Sequence, residues 1–265
     1  MSGFDPAWLS LREPVDHRSR NAALLDAVAA RFAGRDAVTI VDLGCGTGSN
    51  LRALARRLAG RQRWMLIDHD PALLSAAKAG VSAVVAAHGI EVTFVQADVS
   101  ADLDGVLGHG PDLVTAAALF DLVSAAFIDR FADAVATRRA AFYTALTYDG
   151  TERWDPPHES DAAVHGAFLR HQGRDKGFGP AAGPAATQAL VSAFLARGYR
   201  VATGDSPWIL GLEDASLVAA NAAGIAQAAR ETGEVPDGDV DAWLAARRAA
   251  TACIIGHQDL LALPA

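Results

Sequence analysis

The run Val38-Thr39-Ile40-Val41-Asp42-Leu43-Gly44-Cys45-Gly46-Thr47-Gly48-Ser49-Asn50 constrains this chain more than any other stretch. β-branched residues favour an extended strand. The strand ends on an acid, passes through three alternate glycines and enters a helical segment expected over Leu51 to Leu58. Strand, tight loop and helix in that order put the loop at the carboxyl edge of a parallel sheet, where open α/β folds hold ligands. Glycines let the backbone turn sharply and approach a ligand with no Cβ in between. Ser49 or Thr47 suits the cap of the helix, whose first N–H groups face the loop. The feature therefore reads as a nucleotide-cofactor loop, and its spacing decides which nucleotide. A dinucleotide loop requires Gly-x-Gly-x-x-Gly. Here the third glycine comes one residue early, at Gly48, and Ser49 takes the expected place. That counts against a nicotinamide or flavin, and a P-loop is excluded because no Gly-Lys-Ser/Thr follows.

Further acids follow further strands. The second strand reads Trp64-Met65-Leu66-Ile67-Asp68, and His69-Asp70-Pro71 opens a helix. Asp68 lies 24 residues after Gly44, near the roughly 20-residue spacing of an acid that bonds ribose. A carboxylate accepts from both vicinal hydroxyls. Asp70, just before Pro71, suits the helix cap instead. A third strand, Glu91 to Gln96, leads to Ala97-Asp98-Val99. A fourth, Pro111 to Ala116, runs into Ala117-Ala118-Leu119-Phe120-Asp121.

The pattern Asp42-x-Gly44-x-Gly46-x-Gly48, with acids after the next two strands, resembles the class I S-adenosylmethionine (SAM) methyltransferases over about residues 38 to 147. The resemblance implies SAM as cofactor and S-adenosylhomocysteine as product. It implies a cofactor-binding set of Asp42, Gly44, Cys45, Gly46, Gly48, Asn50, Asp68, His69, Asp98, Val99 and Ala117. Within it, Asp98 would bond the adenine amino group and the Val99 N–H a ring nitrogen. The family counterpart of Cys45 is usually a packing residue. Ala118 and Leu119 should lie near the cofactor, and Phe120 is either core or a ring facing the sulfonium. An N-terminal helix closes over SAM in related enzymes, so Arg20 or Arg12 is positioned by the resemblance to meet the methionine carboxylate, for which a guanidinium fork is well shaped. Surface arginines on a packed helix are the plainer alternative.

Composition bounds the rest. At 265 residues, 51% of them apolar, the chain suits one good-sized domain. Its apolar runs are interrupted well before the about 18 residues that span a bilayer, so no membrane is expected. The opening Met1-Ser2-Gly3-Phe4-Asp5-Pro6 has neither the basic nor the apolar region of a signal peptide. Cys45 and Cys253 read as small buried residues rather than a bridge, which points to a reducing cytoplasm. The net charge of −8 and the isolated pairs Arg56-Arg57, Arg138-Arg139 and Arg247-Arg248 argue against nucleic acid. Asp155-Pro156-Pro157-His158 is similar to the Asp-Pro-Pro-Tyr of base-methylating enzymes. It follows the fifth strand rather than the fourth and ends in His, so it is set aside. The expected partner is a small-molecule substrate, and a homodimer is left open.

The expected fold is a doubly wound α/β domain over residues 1–265: a seven-stranded, mostly parallel sheet, last strand antiparallel, with helices on both faces and a helical or loop lid. Residues 1–36 form an N-terminal helical cap, including a helix over Asn21 to Phe32. Residues 148–186 form a substrate-lid insertion, since so long a loop is usually functional or mobile. Residues 206–250 form a helical insertion before the last strand, Ala252 to His257. His257 and Gln258, near Asp259, read as structural.

Methyl transfer from SAM is an in-line displacement in which the protein supplies alignment and exclusion of water. A hydroxyl or protonated amine acceptor needs a base. His171 is the first candidate because imidazole titrates near neutral pH; Asp121, polar within an apolar run, and Asp175 follow. His158, Asp161 and His165 share a helical face, but spacing alone does not make a metal site, and none is expected. Two alternatives stay open: other SAM chemistry on this fold, such as aminopropyl transfer or cyclisation, and a catalytically silent SAM-binding partner subunit.

Overall fold

The structure is a computed structural model that describes residues 5–108 and 110–265. Most of the opening segment screened for a signal peptide, residues 1–4, therefore lies outside the described residues. Five strands form the parallel part of one sheet: β1 (Ala37–Leu43), β2 (Arg61–Asp68), β3 (Glu91–Gln96), β4 (Leu113–Ala117) and β5 (Ala141–Asp155). The chain lays down β1, β2 and β3 outward in one direction, then returns to place β4 on the free flank of β1 and β5 beyond it. This return makes a crevice above the carboxyl ends of β1 and β4, where open α/β sheets receive ligands.

The sheet is completed by β6 (Tyr199–Asp205), β7 (Trp208–Leu210) and β8 (Ala252–Pro264). Strand β8 inserts antiparallel between β5 and β6, giving the order β3-β2-β1-β4-β5-β8-β6. This is the anticipated doubly wound sheet with one addition: the short β7 pairs with the start of β8 and makes an eighth strand. Three residues are too few to show a strand period in sequence. The last strand also runs on past His257 to Pro264, so His257, Gln258 and Asp259 lie within it. Asp259 is buried and accepts from the Tyr143 hydroxyl, the Leu146 N–H and the Asn21 N–H, each at 2.9 Å. Those bonds hold a bulge in β5 at which Leu146 takes φ 59°.

Helices cover both faces. One apolar cluster joins the sheet to α2 (Ala22–Phe32), α3 (Ser49–Leu54), α4 (Pro71–His88), α7 (Asp161–Gln172), α9 (Ala215–Thr232) and α10 (Asp237–Arg248). The opposite cluster joins it to α5 (Leu103–Leu107), α6 (Ala125–Thr137) and α8 (Ala186–Ala196). Phe120 belongs to this second cluster. It is 0% exposed, with ring centroids 4.9 Å from Phe131 and 5.1 Å from Phe142, so it is core and faces no cofactor. Helix α4 is 18 residues long with mean hydropathy 1.2, so by length and composition one helix among the described residues reaches the range that spans a bilayer. The sequence reading missed it. It packs through Leu73, Leu74, Ala77, Val81 and Val84.

Residues 148–186 are more regular than a loop. Tyr148 to Asp155 continue β5 against β8, after a second register shift between Tyr148 and Glu152. Helix α7 follows, starting at Asp161 rather than at Pro156-Pro157. Near the N-terminus, α1 (Pro6–Ser19) is capped by Asp5 and lies across the sheet's carboxyl edge.

Candidate active site

A cavity of about 210 Å³ opens above the crevice between β1 and β4. Gly44, Cys45 and Gly46 floor it, Asp68 and His69 border it from β2, Asp98 and Val99 from β3, and Ala117 from β4. Asn50 and Arg20 line it as well. Ten of the twelve expected cofactor residues thus converge on one space, eight of them from four strand ends, Asn50 from α3 and Arg20 from the end of α1. Asp42 and Gly48 lie beneath it.

The loop geometry explains the glycines. Gly48 has φ 81° and is the N-cap of α3, and a Cβ there would stand 2.5 Å from Val81 Cγ1 on α4. It permits close helix packing. Neither Ser49 nor Thr47 caps α3, contrary to the sequence expectation. The Ser49 hydroxyl instead lies 3.0 Å from His17 Nε2 on α1. Gly46 has φ 53°, and its N–H donates to Asp68 Oδ2 at 2.9 Å. Asp68 Oδ1 accepts from the Asp70 N–H at 3.0 Å, so the carboxylate is held in place at 4% exposure. Asp70 itself caps α4 through Ala72 N–H at 2.8 Å, as its position before Pro71 implied.

Under the loop runs a chain of polar side chains. Arg20 Nη1 donates to Asn50 Oδ1 at 2.8 Å, and Asn50 Nδ2 donates to Asp42 Oδ1 at 2.6 Å and to Thr115 Oγ1 at 3.1 Å. Burial pushes the Asp42 carboxyl up to about 7 despite the Asn50 bond and the Arg20 charge. Burial likewise raises the Cys45 thiol, which behaves as a packing group. Asp98 is different: the Ser100 hydroxyl at 2.6 Å holds its carboxyl below the usual range.

Helix α1 closes the cavity with Leu9, Arg12 and Asp16. It is pinned to the loop region by His17 and by the Glu13–Arg52 ion pair. Arg12 is spoken for, since Asp16 accepts from its Nε at 2.8 Å and its Nη2 at 3.2 Å. Arg20 Nε is buried without a partner. That orphaned donor in the cavity wall fits a ligand carboxylate better than Arg12 does.

The three candidate bases are dispersed. His171 Nε2 sits 2.8 Å from Glu231 Oε2 on α9 and lines neither described cavity. Asp175 Oδ1 accepts from the Gly177 and Gly179 N–H groups at 2.7 and 3.0 Å; it shapes the turn whose Lys176, Gly177 and Phe178 face the cavity. Asp121 follows β4 in a short 3-10 turn, is buried, and lines a second cavity of about 140 Å³. The histidine face on α7 is also occupied: His165 Nε2 is 3.2 Å from the Tyr148 hydroxyl, and Asp161 accepts from Trp243 Nε1 at 2.8 Å.

Residues 40–138 match the model of a methyltransferase-domain family. Over that segment the chain is similar to a methyltransferase domain. No curated protein sequence matches the chain. Solved structures do. A SAM-dependent methyltransferase from Geobacter sulfurreducens, solved with S-adenosylhomocysteine, is 17% identical, with TM-score 0.52 and 100% of both chains covered. The YcgJ protein of Bacillus subtilis is 11% identical, with TM-score 0.53 over 92% of this chain and 99% of that one. The cyclopropane synthase MmaA2 of Mycobacterium tuberculosis is 10% identical, with TM-score 0.50 over 91% and 83%. At such identities the likeness is one of fold.

Sequence reasoning gave no role to Leu9 and Asp16 in the cofactor cavity, and it placed Phe178, Tyr148 and Glu152 only within the substrate-lid insertion, not at a cavity. The mixture of aromatic residues and arginines from Trp8 to Arg20 was the available signal for Leu9 and Asp16. Tyr148 and Glu152 had none, because the bulge after Gly150 hides which side chains share a face.

Proposed function

We propose that this methyltransferase binds SAM in the cavity above β1 and β4 and methylates a small-molecule acceptor. The observation that supports the reading is the convergence of Gly44–Gly46, Asp68 and Asp98, from three successive strand ends, on one space at the return point of the sheet. SAM supplies an activated methyl group on a sulfonium. Asp68, fixed by two backbone N–H groups, accepts the ribose hydroxyls. Asp98 and the Val99 N–H take the adenine edge. Arg20, with its free Nε, takes the methionine carboxylate. Helix α1 lies over the bound cofactor and excludes water. Aligning two reactants this way removes much of the entropic barrier to transfer.

The described part of the cap, residues 5–36, covers the cofactor in this reading, residues 148–186 form the acceptor-facing wall, and 206–250 support that wall. Two free, buried cysteines suit a cytoplasmic setting. Calorimetric titration with S-adenosylhomocysteine, and separately with NADH, tests the reading. Micromolar binding of S-adenosylhomocysteine alone is expected; binding of NADH alone overturns it.

A further inference from the structure

The second cavity adjoins the first, and Arg12, Ala118 and Leu122 line both. Ala118 is held at φ 51° with its N–H donating to the Ala145 carbonyl at 2.9 Å. That turn carries Asp121 from the end of β4 into the second space. A non-glycine residue in this conformation stores strain, which proteins tolerate chiefly at functional sites. Trp8, Trp208 and Phe168 supply apolar walls. A dry cavity of about 150 Å³ holds a molecule the size of benzene, so this one suits an acceptor of about one ring.

The polar groups set the chemistry. Asp121 Oδ2 accepts from Gln172 Nε2 at 3.1 Å, while Asp121 Oδ1 and Gln172 Oε1 are buried with no partner. His257 Nδ1 lies 3.1 Å from the Ile255 carbonyl. A carbonyl only accepts, so Nδ1 carries the proton and Nε2 presents a lone pair. Burial pushes this ring down to about 3 and keeps it neutral. Asn221 Nδ2 is the one unpartnered buried donor among the described polar groups of this cavity. The Arg12 charge is already matched by Asp16. Asp121 Oδ1, Gln172 Oε1 and His257 Nε2 are thus acceptors with no donor, the free donors at this cavity being Asn221 Nδ2 and the Arg12 N–H groups that Asp16 does not take, and buried acceptors left without a donor are costly.

We propose that the second cavity is the acceptor site and that it takes a small primary or secondary amine, which enters protonated, its ammonium N–H groups met by the acceptors of Asp121, Gln172 and His257, and which gives one proton to Asp121 before it attacks. The proposal rests on SAM occupying the first cavity. In the transfer, a bond forms between the amine nitrogen and the methyl carbon. The bond from that carbon to the sulfonium sulfur breaks, its electron pair staying on sulfur to give S-adenosylhomocysteine. The one proton released from nitrogen is that given to the Asp121 carboxylate before the attack. His171 has no part in this route.

The test uses the full chain with SAM and a panel of ring-sized acceptors: benzylamine and N-methylbenzylamine against benzyl alcohol and benzoate. Product mass is read, and binding of each to the protein with S-adenosylhomocysteine is followed calorimetrically. Methylation of the amines alone is expected. Asp121→Asn should lower kcat/KM for benzylamine at least about tenfold, the loss of one charge-assisted hydrogen bond, with S-adenosylhomocysteine affinity unchanged. The retained affinity shows that the variant is folded. Turnover of the alcohol or acid instead, wild-type activity in Asp121→Asn, or neither binding nor methylation of either amine overturns the amine site while leaving the cofactor reading intact. Failure of S-adenosylhomocysteine to bind the wild-type chain overturns both.

Discussion

The two cavities are neighbours but are built in opposite ways. The cofactor cavity is lined mostly by residues that directly follow strands β1 to β4, within one continuous half of the chain. The second is assembled from α1, the turn after β4, the bulged end of β5, α7, β7, α9 and β8, which are separated by up to some 250 residues of sequence. In the first, Gly44 to Gly46, Asp68, Asp98 and Ala117 are each placed by the strand they end or follow, while Arg20 comes from the end of α1. In the second, each is placed by the packing of something else. The difference teaches where this protein is rigid by local necessity and where acceptor choice is open to change without touching the cofactor.

Four substitutions sharpen that contrast. The largest effect is expected for Asp68→Ala. Loss of charge-assisted bonds to the ribose, about 1.5–3 kcal/mol each, should weaken S-adenosylhomocysteine binding at least about tenfold, as read by calorimetry. Unchanged affinity in a folded variant would remove Asp68 from the cofactor site.

Gly48→Ala should act on stability rather than on chemistry. The new Cβ meets Val81 at 2.5 Å from a residue held at φ 81°, and strain of this kind costs about 1–3 kcal/mol. Denaturant unfolding should show it. Equal stability would mean that α4 shifts freely.

Next comes a pH effect. Asp42 is raised from its ordinary value to about 7 by burial, and Asp121 to about 6 by burial. The folded chain therefore holds more protons than the unfolded one above about pH 4. The contribution is fully present below that pH and is lost as pH rises through the folded values, by about 1.4 kcal/mol per unit for each group. Asp42→Asn should flatten the fall in stability up to pH 7 and leave only the Asp121 part, which ends near 6. A slope equal to that of the wild type contradicts the buried acid.

The smallest effect is expected for His171→Gln. Its partner Glu231 is largely exposed, and surface pairs contribute little. kcat and cofactor affinity should both stay at wild-type values. A large loss of kcat would restore His171, the base preferred on sequence grounds, to the mechanism.

How far the sequence was legible follows the same division. Asp68 and Asp98 could be identified because a strand ends in a predictable place and the next residue must stand at the sheet edge. Gly48 was read as a cofactor-loop glycine, and its packing against Val81 was not legible. His171 misled because composition shows that a base is present and not where it points; α7 turns it toward Glu231. His257 was read as structural and lines the second cavity, since its exposure to that space depends on Trp208 and Tyr148, which reach it through β7 and β5.

The sequence alone determined the sheet, its strand-end loop and the acids that follow it. These depend on strand period, glycine spacing and chain direction, all of which act over a few residues. The tertiary structure decided which polar groups face each other across the second cavity. Bulges at Leu146 and beyond Tyr148, and the packing of α7 on α9, set those directions over long separations. No local pattern encodes an orientation that a one-residue register shift reverses.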